Sequence, residues 1–163
     1  MNAIALIGLS GSGKSTIGPL LAKRLGLPHL DVDLVLEQRE GRTIREIFNT
    51  DGEPYFRALE REITIELLAA PGVLSLGGGA PMTRAIADAL EGHPVVWLRV
   101  EPESSARRIG RDEGRPLLAG QDAVVRLRRM LSERAPTYAR LASLAVDTDH
   151  ASVDSVVDAV AAH

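Results

Sequence analysis

Apolar positions along this chain fall into short runs and helical stripes that alternate from one end to the other. Asn2 to Ile7 is a continuous apolar run of the kind a parallel sheet buries on both faces. It gives way to a glycine-rich loop, Gly8 to Gly13, and then to a helix predicted over Lys14 to Leu25, closed by Gly26. A second strand is predicted at Pro28 to Val32, and a helix at Leu34 to Glu40 that Gly41 ends. Thr43-Ile44-Arg45-Glu46 has the spacing of a capping box opening another short helix. Glu53 to Ala69 is the clearest amphipathic helix, with Phe56, Leu59, Ile63 and Leu67 recurring on one face.

Pro71-Gly72 turns the chain into a third strand, Val73 to Leu76, which runs into Gly77-Gly78-Gly79. A helix at Thr83 to Leu90 and a strand at Val95 to Val100 follow. Pro102 opens a helix reaching about Gly110, and Arg111 to Gly120 is a polar loop. Asp122 to Ala135 is helical again, with Pro136 expected to end it. Leu144 to Val146 and Val153 to Ala162 supply a last strand and helix. Such alternation predicts an α/β domain: a parallel sheet with helices on both faces. No repeat or linker divides residues 1–163, so they read as one domain, whose strand order this pattern leaves open.

Composition narrows the class. Hydrophobic residues make up 45% and charged residues 25% of the 163, the profile of a soluble domain. Aromatic residues are only 3%, too few for a surface that stacks nucleic-acid bases. The absence of cysteine excludes disulfides and thiolate metal sites, and the four histidines have no metal-ligand spacing. The N-terminal apolar run is too short for a membrane span and lacks the parts of a secretory signal, so a cytoplasmic protein is expected. Only two lysines occur, Lys14 and Lys23, while nine arginines lie between Arg107 and Arg140. That asymmetry fits either a solvated helix face or recognition of phosphate and carboxylate.

Gly8-Leu9-Ser10-Gly11-Ser12-Gly13-Lys14-Ser15 matches G-x-x-x-x-G-K-S between a strand and a helix. The glycines let backbone N–H groups curl round a phosphate at a helix N-terminus. Gly11, Ser12, Gly13 and Thr16 would form the cradle, Lys14 would reach the β- and γ-phosphates, and Ser15 would ligate Mg²⁺. Asp31-Val32-Asp33 falls at the sheet edge where open α/β folds place ligands. One carboxylate can hold water around Mg²⁺ and the other can accept a hydroxyl proton; a helix cap is the plainer role for one of them. Three glycines at a strand end pack nothing, which points to close backbone approach or to a flexible turn. Arg57 alone reads as a surface arginine, although Glu60 three residues on could steady its guanidinium. Arg115 lies in a loop of lid-like length, and a lid arginine can neutralise a transferred phosphoryl group. These groups reach as far as a kinase of a small hydroxy acid or polyol.

The ordered set GLSGSGKST, LDVD, GRTIREIF, DGEPYFRALE, LSLGGGAP, RPLLAG, ERAPTYAR and VDT resembles the shikimate kinase family from Ile4 to about Thr148. That resemblance implies a P-loop NTPase-type three-layer fold with a five-stranded parallel sheet. It also implies a mobile lid near 111–120 and a substrate-binding segment near 33–61. It implies transfer of the ATP γ-phosphoryl group to the 3-hydroxyl of shikimate, with Mg²⁺ held by Ser15 and, through water, Asp31. Asp33, Arg57, Gly78, Gly79 and Arg134 would bind shikimate, with Gly77 in the same platform and Asp33 as base. Arg115 would reach the phosphates from the lid and Arg108 would lie near adenine. A monomer with no nucleic-acid or membrane partner is expected. Thr137 stands where the family usually has Leu, and Pro81 to Arg84 lacks the family's Asn-Arg pair. A gluconate kinase is the nearest rival, disfavoured by the GGG and RPLL segments together. A non-catalytic relative would be expected to lose Lys14 or the strand-end Asp, and a GTPase to carry N-K-x-D, which is missing.

Overall fold

A computed structural model describes residues 2–112 and 120–163, with the side chains of residues 110–122 left aside. Five parallel strands stand in the order β2-β3-β1-β4-β5: β1 (Ile4–Ile7), β2 (His29–Asp31), β3 (Val73–Ser75), β4 (Val95–Arg99) and β5 (Leu144–Asp147). The order places the first strand in the centre, paired with β3 on one side and β4 on the other. Connections lead to opposite sides of β1, to β2 and β3 on one and to β4 and β5 on the other, which makes the loop after β1 the natural binding crevice of such a sheet.

Side chains of β1 alternate between two cores, as a doubly covered strand demands. Ala5 and Ile7 face one core with Leu36, Ile47, Phe56, Ile63 and Tyr138. Leu6 faces the other with Ile17, Leu21, Val156 and Val160. Helices α1 (Lys14–Leu25) and α8 (Val153–Ala161) therefore cover one face. The other carries α2 (Val32–Glu40), α3 (Ile44–Asp51), α4 (Glu53–Leu68), α5 (Arg84–Ala89) and part of α7 (Gly120–Leu141). Helix α6 (Pro102–Asp112) follows β4 and packs beside α7. No helix among the described residues is long and apolar enough to cross a membrane.

The local signals act as their chemistry requires. Gly26 closes α1 in the left-handed region at φ 68°, where its N–H reaches the Ala22 and Lys23 carbonyls. Thr43 caps α3 by accepting from the Glu46 N–H at 3.1 Å.

Two expectations need correction. Helix α2 begins at Val32, two residues early, because Asp31 caps it: its Oδ1 accepts from the N–H groups of Asp33 at 2.9 Å and Leu34 at 3.3 Å. Asp33 thus sits in the first turn of a helix, not at a strand end. Pro136 does not stop α7, which runs on to Leu141. Proline removes one N–H from the ladder, and the helix continues through it with Tyr138 fully buried two residues later. Residues 113–119, with Arg115 and most of the expected lid, lie outside the described residues.

Candidate active site

A cleft of about 470 Å³ opens where β1 meets α1. Gly13, Lys14, Ser15, Asp31, Asp33 and Arg108 line it together, with Gly11, Thr16 and Gly78 completing the wall. Ser12 lies fully buried at the heart of the loop. Gly11 holds φ +79°, and a Cβ there would come within 2.9 Å of the Ser105 carbonyl oxygen on α6. Only glycine serves at that point, on grounds of both conformation and space. Ser105 Oγ donates to the Ser10 carbonyl, so α6 buttresses the loop from behind.

Lys14 folds back onto its own loop, donating to the carbonyls of Gly8 at 2.6 Å and Leu9 at 3.0 Å. Burial lowers its pKa to about 8, against the support of Asp33 and Asp31. Asp33 is displaced in the opposite sense. Burial raises it to about 6, aided by the nearby charges of Asp31 and Glu60 and opposed by Lys14. Its Oδ1 is buried and has no hydrogen-bond partner among the described residues. A buried, unsatisfied carboxyl oxygen facing a cleft is costly unless a ligand completes it.

The three glycines after β3 are explained by what lies over them. A Cβ on Gly77 would meet the Asp33 carboxylate at 3.1 Å and Glu60 Oε2 at 3.2 Å. One on Gly78 would lie 2.8 Å from Arg134 Nη1, and one on Gly79 2.7 Å from Arg57 Nη2. None of the three has positive φ. Glycine is used here for room and not for flexibility, and each glycine receives a different charged side chain. Arg57 donates to the buried Glu60 at 2.8 Å and lies 3.5 Å from Glu53. Partial burial works against its charge, but the two carboxylates outweigh it and raise its pKa.

On the opposite flank, Arg108 donates to the Gly11 carbonyl at 3.0 Å, Thr148 Oγ1 at 3.2 Å and the Thr148 carbonyl at 2.8 Å. Beside it is a smaller hollow of about 190 Å³, bounded by Thr16, Thr148, Ala151 and Val153. One planar cation over apolar walls can receive a nucleobase face.

The chain matches the family model described as shikimate kinase over residues 10–163. The chain belongs to the shikimate kinase family. A shikimate kinase of Mycobacterium avium is 50% identical over 93% of this chain and 87% of its own length. Its counterpart in Mycobacterium tuberculosis is 48% identical over the same shares. Among solved structures, the shikimate kinase of Acinetobacter baumannii in complex with shikimate superposes with a TM-score of 0.89 at 33% identity, covering 98% of this chain and 90% of that one. A gluconokinase from Sinorhizobium meliloti reaches a TM-score of 0.65 at 22% identity, over 98% and 89% of the two chains, which is likeness of fold alone.

Of the residues marked in the sequence, Gly11, Gly13, Lys14, Ser15, Thr16, Asp31, Asp33, Gly78 and Arg108 share one cleft, while Ser12, Gly77 and Gly79 do not line it. Arg57 and Arg134 stand beside that cleft without lining it: Arg134 lies against Gly78, which does line it, and Arg57 against the next residue, Gly79. Arg115 lies outside the described residues. Sequence reasoning passed over Thr148, which pins Arg108, and Tyr138, whose hydroxyl donates to the Gly78 carbonyl. The signal for Tyr138 was present: it is one of only two tyrosines, four residues after Arg134 on one helix face.

Proposed function

We propose that this chain transfers the γ-phosphoryl group of ATP to the 3-hydroxyl of shikimate, giving shikimate 3-phosphate and ADP in aromatic amino-acid biosynthesis. Beyond family membership, the observation that carries this reading is the row of glycines under Asp33, Arg134 and Arg57. Two arginine forks set beside one carboxylate, next to a phosphate loop, suit an acceptor bearing both a carboxylate and a hydroxyl.

In this reading Arg57 and Arg134 take the shikimate carboxylate, with Glu60 keeping the Arg57 fork in plane. Asp33 accepts the 3-hydroxyl proton as that oxygen bonds to the γ-phosphorus and the bond to the bridging oxygen of ADP breaks. A carboxyl near pH 6 is well matched to this task close to neutrality. The N–H groups of Gly11 to Thr16 cradle the phosphates, and Lys14 turns from its loop carbonyls to the transferred group. Arg108 borders the adenine, and Arg115 would bring further positive charge from the segment between α6 and α7. Little covalent work falls to the protein, so positioning and charge supply the catalysis.

Ser15 and Asp31 fit Mg²⁺. Both offer hard oxygen donors to the cleft, and an ion held mostly by phosphates and water needs only one or two protein ligands. Asp31 spends Oδ1 on its cap, which suits contact through water. Bound there, the ion would neutralise phosphate charge. ATP and Mg²⁺ together suit a cytoplasmic enzyme, and we read it as a monomer acting on a small molecule.

A coupled assay of ADP release tests the substrate. Turnover with shikimate and none with gluconate is expected. Turnover with gluconate alone would overturn the assignment.

A further inference from the structure

Tyr138 is fully buried, with its ring 5.6 Å from that of Trp97 on β4. Its hydroxyl leaves that apolar bed to donate to the carbonyl of Gly78. Burial raises the phenol's pKa, opposed by the nearby Arg134, so the group stays a neutral donor near pH 7. At Gly78 the loop after β3 meets both α7 and the loop after β1. Arg134 Nη1 would meet a Cβ there at 2.8 Å, the Gly8 carbonyl at 3.4 Å and the Tyr138 hydroxyl at 3.7 Å. Arg134 and Tyr138 are four residues apart on α7 and so project from one face.

Holding one carbonyl fixes more than one atom. The peptide between Gly78 and Gly79 is planar and trans, so its N–H is antiparallel to its C=O. With that C=O tied to α7, the Gly79 N–H must aim away from α7. The same bond sets the height of the glycine backbone under Arg134, and Arg57 rests on the next residue. A run of three glycines has no side chains of its own to lock it. Backbone bonds hold its two ends, Ala80 N–H to the Gly77 carbonyl at 3.0 Å and Met82 N–H to the Gly79 carbonyl at 3.1 Å, and the Tyr138 hydroxyl holds the carbonyl between them.

We propose that Tyr138 is a positioning residue for the acceptor: its hydroxyl locks the Gly78–Gly79 peptide and so sets the spacing of Arg134 and Arg57 about the substrate carboxylate. Its hydroxyl does not touch the reacting atoms. This inference rests on the reading of the two arginines as carboxylate grips.

Tyr138→Phe tests it, since the ring and its packing against Trp97 are kept and only the hydroxyl goes. With shikimate as acceptor, KM for shikimate should rise about tenfold, the size of losing one well-placed buried hydrogen bond. KM for ATP should stay within twofold and kcat should change little. Shikimate binding followed by calorimetry in Tyr138→Phe, Arg134→Lys and the double variant should be non-additive, because both residues act on one peptide. A shikimate KM within twofold of the parent would overturn the proposal, as would a parallel rise for both substrates or full additivity in binding. If the parent protein itself fails to phosphorylate shikimate, the substrate reading falls first and separately. Should Tyr138→Phe prove unstable at assay temperature, the same titrations at lower temperature on Tyr138→Leu, which has no donor and does not overfill the buried site, decide between the same outcomes.

Discussion

Gly79→Ala separates positioning from folding more cleanly than any substitution of a charged residue. The new methyl would lie 2.7 Å from Arg57 Nη2, 3.0 Å from Nη1 and 3.1 Å from Cζ, where ordinary contact starts at 3.4 Å. The obstacle is the far end of a long side chain, so the guanidinium retreats and the backbone stays. A shift of about 0.7 Å at the nearest atom follows from those two distances. It strains the 2.8 Å bond to Glu60 and turns the fork away from a planar partner. Misplacing a substrate-positioning group by about 1 Å can cost about a hundredfold, so kcat/KM for shikimate should fall between about 10- and 100-fold. Most of the loss should fall on KM for shikimate. Backbone strain should contribute nothing, since Gly79 has φ −89° and ψ −8°, open to any L-residue. Replacing glycine in an allowed conformation narrows the unfolded ensemble and stabilises by about 0.4–1 kcal/mol. The expected pattern is an unchanged or slightly higher melting temperature with a disabled enzyme, read by thermal denaturation beside steady-state kinetics. Parental kcat/KM would refute the close approach, and a large drop in melting temperature would show that the contact is packing.

Asp33→Asn should reduce turnover by more than about a hundredfold by removing the base, while making the fold more stable at pH 7. The sign follows from linkage: the folded protein holds this proton to about pH 6 while an unfolded aspartate releases it near 3.8. Stability therefore falls as pH rises through that interval, by roughly 2 kcal/mol, and urea titrations of both proteins at pH 4 and pH 7 would measure it. Parental turnover should itself rise with pH through about 6, and a rate flat from pH 5 to 8 would remove Asp33 as base. Arg57→Lys keeps the charge and loses the fork, so KM for shikimate should rise about tenfold or more with KM for ATP unchanged; an unaltered shikimate KM would detach Arg57 from the site.

Features set by neighbours in sequence were legible without coordinates. The strand–loop–helix unit of the P-loop, the Gly26 cap and the Thr43 N-cap each depend on a few adjacent residues, and each forms where expected. What escaped depends on contacts between distant segments. Strand order is set by which crossovers bury both faces of β1, and no local pattern records it. Pro136 signals a helix end by local rule, but the helix continues past it into packing that includes the buried Tyr138. The glycine run could be read as freedom or as room, and only Asp33, Arg134 and Arg57 lying over it decide for room. Asp31 carried two readings, cap and metal-site residue, and one oxygen takes the first while leaving the other free for the second.

Glu60 ties the two halves of the acceptor site together. It is nearly fully buried, bonded to Arg57, and close enough to Gly77 to share that glycine's open space with Asp33. Burial raises its own pKa against the pull of Arg57 and Arg134. Its charge does two things at once: it fixes the arginine fork, and it helps keep the neighbouring Asp33 basic. If Arg57 grips the substrate carboxylate as proposed, less of its positive charge would remain to offset Glu60, and the repulsion felt by Asp33 would grow. The acceptor would then strengthen the proposed base, and a change made at Glu60 should move both carboxylate affinity and the pH dependence of turnover.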